Sequence, residues 1–197
     1  MRVITFGCSF TFGHGLSDCF IPPHSCGGTP SKYAWPSLVA KELNVECINK
    51  SLPGSSNKKI WHSIVKFEFK KDDIVFVMWS YPNRSCTLYE DTDVDIGNWI
   101  DSSVAYYKHY YSPYDSLMMS NLFVSNANTV LADQRIKTYN LTFNKRYFRL
   151  DKTVSSIPIC MSELMQRFPL ALDGSHPGPE CHKEVAKQIG NYIANES

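Results

Sequence analysis

The stretch Asp73-Ile-Val-Phe-Val-Met-Trp-Ser80 decides the fold. Six consecutive apolar residues, Ile74 to Trp79, are too few for the roughly 20 that cross a bilayer. They lack the alternation of a strand with one wet face, so they predict a strand covered on both sides. Upstream, KKIWHSIVKFEF at 58–69 carries Ile60, Ile64 and Val65 at helical spacing, and VECIN at 45–49 alternates as a strand does. YAWPSLVAKEL at 33–43 repeats the helical pattern through Trp35, Leu38, Val39 and Leu43, and RVITF at 2–6 is a short β-rich run. Downstream, residues 86–113 are polar and aromatic without steady periodicity, which predicts an insertion that is part loop and part helix. A long helix is expected over 114–133, burying Leu117, Phe123, Val124, Val130 and Leu131, then a fourth strand, KTYNLTF, at 137–143. Residues 144–170 read as irregular, and 179–194 as a terminal helix with Val185, Ala186, Ile189 and Ile193 on one side. Strands alternating with helices predict an α/β fold, a three-layer α/β/α sandwich around a mostly parallel central sheet.

The 197 residues fit a single domain, 1–197. Hydrophobic residues make up 43%, and 20 Lys and Arg nearly balance 19 Asp and Glu, so the chain can fold on its own core and carries no charge excess for general nucleic-acid binding. With neither a membrane-length apolar stretch nor a charged-then-apolar leader, a cytoplasmic protein is expected. Seven cysteines, at 8, 19, 26, 47, 86, 160 and 181, are odd in number and scattered, which predicts free thiols. Cys19, His24 and Cys26 bring soft ligands together, but no fourth accompanies them, so neither a metal nor a cofactor is expected.

In parallel α/β sheets the reactive groups collect at the carboxyl ends of the strands. Gly7-Cys-Ser-Phe10 follows the first strand, Leu52-Pro-Gly-Ser-Ser-Asn57 the second and Trp79-Ser-Tyr-Pro-Asn-Arg84 the third, while Asp173-Gly-Ser-His-Pro-Gly178 precedes the terminal helix. A serine hydroxyl needs a base to become a nucleophile, and a histidine base needs a partner that holds its tautomer. Ser9 has candidates for both in His176 and Asp173, three residues apart in one turn. Donors for a developing oxyanion are the N–H groups of Ser9 and Gly54 and the side-chain amide of Asn83. Among the remaining polar residues, His14 is expected to be a solvated loop histidine, His182 structural, and Asn57 a helix cap. Tyr106, Tyr107, Tyr110, Tyr111 and Tyr114 could stack on a sugar or fill a core.

In this order the blocks resemble the SGNH hydrolases, or GDSL-like esterases and lipases. Gly7-Cys8-Ser9 stands for the family's Gly-Asp-Ser turn, Asn49 through Gly54 for its Asn-x-Gly-x-x-Gly, and Asp173-Gly174-Ser175-His176 for its Asp-x-x-His. Cys8 replaces the usual aspartate, Ser51 replaces a glycine, and the third block, Gly-x-Asn-Asp, has only the offset Asn83. The resemblance implies a flavodoxin-like SGNH fold, with Ser9 as nucleophile, His176 as base, Asp173 as its partner and Ser9 and Gly54 as oxyanion donors. The implied activity is a serine esterase acting on a short-chain ester, such as an acetyl group on a carbohydrate. Two alternatives are a catalytically silent protein of this fold that binds a glycan or protein partner, and thiol chemistry at Cys8.

Overall fold

A computed structural model describes residues 1–23, 25–90, 92–144 and 156–196. The chain runs β1 (Arg2–Phe6), α1 (Ser9–Phe12), β2 (Phe20–Ile21), β3 (Ser25–Cys26), α2 (Trp35–Glu42), β4 (Glu46–Asn49), α3 (Asn57–Val65) and β5 (Ile74–Trp79). It continues with β6 (Ser85–Leu88), β7 (Asp93–Ile96), a 3-10 turn at Asp101–Ser103, α4 (Val104–His109) and α5 (Pro113–Asp133). The last elements are β8 (Lys137–Thr142), β9 (Ser156–Cys160), α6 (Met161–Met165) and α7 (Pro179–Glu196).

Five of these strands form one sheet in the order β4-β1-β5-β8-β9, and every neighbouring pair is parallel. The apolar run at 74–79 is its central strand, buried on both faces as its composition requires. Phe76 and Met78 point into a core completed by Trp35 and Val39 of α2 and by Val185 and Ile189 of α7. Val75, Val77 and Trp79 point the other way, against Ile60 and Ile64 of α3 and Val124 and Leu131 of α5. Each such fully buried side chain contributes about 1.5–3 kcal/mol over its exposed state, so these two faces hold the sandwich together. Helix starts follow local chemistry: Ser56 caps α3 by accepting from Lys59 N–H, and Ser112 caps α5 through Asp115 N–H with Pro113 beginning the first turn.

Three expectations change. Residues 156–160, within the stretch read as irregular, form β9, a fifth strand at the sheet edge; Pro158 hid it, since proline is excluded from central strands but tolerated at edges. The predicted insertion contains a β6/β7 antiparallel hairpin besides its helical turns. In α5 the buried stripe is Ser120, Val124, Ala127 and Leu131, whereas Leu117 is exposed and Phe123 and Val130 are half-buried. Small residues let α5 lie close to α3, so size and hydrophobicity alone misplace its inner face. No helix among the described residues is long and apolar enough to cross a membrane.

Candidate active site

The chain leaves β1 through Cys8 in an extended conformation and turns at once into α1, so Ser9 begins a helical turn at the carboxyl edge of the sheet. Amides at the start of a helix have no intrahelical acceptor, which leaves Ser9 N–H available to a ligand. The neighbouring loop is laced to this turn. Asn49 Nδ2 donates to Thr11 O at 2.8 Å, its Oδ1 accepts from Ser51 N at 3.0 Å, and Leu52 N donates to Gly7 O at 3.3 Å. Gly54 then takes a φ of 81°, a left-handed pose that glycine adopts without strain, and its N–H has no acceptor among the described residues.

Residues 171–176 dock against the same turn. Leu172 N donates to Gly15 O at 3.0 Å and Ala171 N to His176 O at 2.9 Å. Gly15, at φ 84°, lies so close that a Cβ there would fall 2.7 Å from Asp173 Oδ1. Asp173 is nearly sealed from solvent: Oδ1 accepts from the backbone N–H groups of Ser175 and His176, each at 3.1 Å, and Oδ2 from Ser175 Oγ at 3.1 Å. Oδ2 also pairs with His176 Nδ1, which puts the ring proton on Nδ1 and leaves Nε2 as the basic nitrogen. Burial pushes the Asp173 carboxyl up, but the bonds from Ser175 and His176 outweigh it and hold it at about 2. For His176, burial dominates and lowers the pKa, Asp173 opposes, and His14 and Arg84 lower it further, so the imidazole is neutral at neutral pH and fit to accept a proton.

His14 is not the solvated loop residue expected from sequence. Its ring stacks on His176 with centroids 4.4 Å apart and planes within 5°, and its Nε2 lies 4.0 Å from Asp173 Oδ2. Among the described residues, His14, Asp173 and His176 are the one group close enough to hold a metal ion. Parallel rings send their lone pairs in parallel rather than toward one point, and Asp173 Oδ2 already serves His176, so the cluster fits a hydrogen-bonded His–Asp pair with a second imidazole stacked on it better than a coordination sphere. Of the soft-ligand cluster, His24 lies outside the described residues, and Cys19 Sγ donates to Gly13 O at 2.9 Å. His182 is structural, as expected: it is fully buried, Trp35 N–H donates to its Nδ1 at 3.1 Å, and burial pushes its pKa down to about 3.

Ser9, Gly54 and His176 line one cavity of about 370 Å³, together with His14 and Pro53. The segment after β5 supplies the rest of the wall through Arg84, Asp95, Trp99 and Ile100. Asn83 is not among the lining residues; its carbonyl accepts from Tyr107 Oη at 2.5 Å, and it is the next residue, Arg84, that reaches the site. None of the five tyrosines lines the cavity; the aromatic face there belongs to Trp99. Cys8 is fully buried and also lies outside the lining. Asn57 is not the helix cap, a role taken by Ser56. Buried in the first turn of α3, its Oδ1 accepts from Ser80 N at 2.8 Å and its Nδ2 donates to Ser80 O at 3.1 Å, which fixes the exit of β5. A larger cavity, about 550 Å³, lies beside Lys50, His62, Lys66 and Phe67, but it contains neither Ser9 nor His176. Chemistry rather than volume therefore selects the smaller one.

No family model matches the chain, and no curated protein matches it in sequence. Solved structures do match in shape. A member of the lipolytic protein G-D-S-L family from Veillonella parvula superposes with a TM-score of 0.55 at 13% identity, covering 97% of each chain. The psychrotrophic esterase EstA from Pseudoalteromonas sp. gives 0.56 at 8% identity over 98% of this chain and 97% of that one. The acetyl xylan esterase Est2A from Butyrivibrio proteoclasticus gives 0.56 at 15% identity, covering 99% of this chain and 64% of the larger protein. In its parallel sheet, its layered helices and the shapes it is similar to, the chain has the fold of the GDSL/SGNH hydrolases.

Proposed function

We propose that the protein is a serine esterase acting on a short-chain ester, with an acetyl group on a carbohydrate as the favoured case. One observation carries this reading: residues 9, 54 and 176, remote in sequence, line one cavity, and the histidine among them is paired with a buried carboxylate. In the reaction His176 Nε2 takes the proton of Ser9 Oγ as the oxygen attacks the ester carbonyl. The N–H groups of Ser9 and Gly54 receive the developing oxyanion, and Asp173 stabilises the imidazolium. His176 then returns the proton to the departing alcohol, and water, activated by the same nitrogen, clears the acyl-enzyme. The third donor expected from Asn83 has no place in this scheme. Similarity to lipolytic proteins and carbohydrate esterases supports the reaction class, and the modest cavity supports a small acyl group.

Hydrolysis of p-nitrophenyl acetate tests the reading. The wild-type protein should turn it over and Ser9→Ala should lose at least ~10³-fold in kcat, the usual consequence of removing a triad nucleophile. Equal rates in the two proteins would overturn it.

A further inference from the structure

Arg84 is the unexplained charge of the cavity. Its guanidinium carbon lies 4.8 Å from the ring centre of Trp99 and 5.0 Å from that of Tyr81, so two aromatic faces hold it in place. The guanidinium's one hydrogen bond among the described residues is from Nη1 to the neutral Ser80 Oγ, at 3.1 Å. No carboxylate among the described residues comes within 4.0 Å of it. Asp95, the acidic residue on the same wall, is already engaged: Lys59 Nζ lies 3.2 Å from each of its oxygens and 3.9 Å from Asp93. A guanidinium carries five N–H donors in a planar fork that matches a carboxylate, and most of this fork is unspent.

Position says which part of a substrate would meet it. Ser9 is only 4% exposed and marks the floor, whereas Trp99 is 52% exposed and marks the rim. Trp99 also reaches back toward the oxyanion site, since a Cβ on Gly54 would sit 3.5 Å from its ring. With the acyl carbon attacked at the floor, the half of the ester that leads out to the rim passes Trp99 and Arg84. We propose that Arg84, braced by Trp99, binds a carboxylate on the alcohol half of the ester, so that the substrate class is an acetylated acidic sugar or hydroxy acid. The proposal rests on the esterase reading for its substrate, though the anion site can be tested without turnover. It also gives the lowered pKa of His176 a use: an anion on Arg84 removes one of the charges that oppose formation of the imidazolium.

A matched pair of esters tests it: 4-acetoxybenzoate, whose alcohol carries a carboxylate, and the neutral 4-acetoxybenzamide, each rate divided by its hydroxide-catalysed rate. Wild-type kcat/KM should favour the carboxylate at least tenfold at low salt, the preference should shrink as salt is added, and Arg84→Gln should bring the ratio near one while Arg84→Lys keeps part of it. A wild-type ratio of one or less, or a tenfold preference that survives in Arg84→Gln, would overturn the proposal. So would an equal loss on both esters in Arg84→Gln, which would make Arg84 a donor to the ester itself. Calorimetric titration of 4-acetoxybenzoate into Ser9→Ala and into Ser9→Ala/Arg84→Gln reads the site without chemistry. Binding at least tenfold weaker in the double variant supports the site even if no ester is turned over, and equal binding overturns it even if both are.

Discussion

The two walls of the cavity are built differently. On one side, Ser9, Asp173 and His176 sit on short turns pinned by backbone hydrogen bonds to one another and to the sheet edge, with Asp173 almost wholly enclosed. On the other, Arg84, Asp95, Trp99 and Ile100 belong to a hairpin and its two flanks and include a half-exposed tryptophan. The first wall has the rigidity that proton transfer demands, since reacting atoms must be held within fractions of an ångström. The second is suited to recognition, because its residues can change without disturbing the sheet. On the proposed reading, the chemistry is placed where the backbone is over-determined and the selectivity where it is not.

The largest way to break that contrast is Asp173→Asn. The amide keeps the shape of the loop but can no longer hold the proton on Nδ1, so kcat should fall by about 10³–10⁴-fold with the melting temperature little changed. Steady-state kinetics beside thermal melts would check it, and a loss under tenfold would detach Asp173 from the chemistry. Next is Gly15→Ala, which strains a left-handed residue and drives a methyl into Asp173. It should cost about 1–3 kcal/mol of stability and at least tenfold in kcat, measured by denaturant unfolding and turnover. If stability falls while kcat does not, the packing of residues 13–16 on the Asp173 loop is structural only.

The pH profile sharpens the comparison further. Burial, His14 and Arg84 all disfavour the His176 imidazolium, so its proton is lost below pH 6.5, and the acid limb of kcat/KM should bend below that value. Activity is then full at neutral pH and is lost as pH falls through the lowered pKa. His14→Phe keeps a ring in the stack but removes the electrostatic contribution that lowers the His176 pKa, so the limb should move to higher pH; a downward shift would contradict the stated cause. The smallest effect belongs to the recognition wall: Trp99→Ala should raise KM for an acetyl ester severalfold, more than it lowers kcat.

Legibility in the sequence follows the same division. β5 was readable because a central strand needs an uninterrupted apolar run, β1 and β8 as short β-rich runs, and the edge strand β4 by its alternation; the Asp173–His176 pair was readable because its spacing is local. Ser9 and Gly54 stood out only through the joint order of their blocks, which resembles the SGNH pattern, and the structure places both along one cavity with His176. β9 was not, since an edge strand tolerates Pro158 and shows little periodicity. The role of Asn57 was missed because a buried amide that clamps a strand exit leaves the same local pattern as a cap. His14 and Arg84 were misjudged or passed over because their partners lie far away in the chain: nothing near residue 14 announces His176, and nothing near residue 84 announces the cavity. The tyrosine-rich stretch drew attention by composition, while the single Trp99, set by the hairpin, reached the site.

The central claim is that Ser9 is an activated nucleophile, and intact-protein mass spectrometry after incubation with a fluorophosphonate tests it most directly. A single adduct that maps to Ser9, absent from Ser9→Ala and strongly slowed in His176→Ala, is the expected result. An unlabelled wild-type protein, or an adduct that persists in Ser9→Ala, would contradict it and leave a hydrolase fold without a working serine.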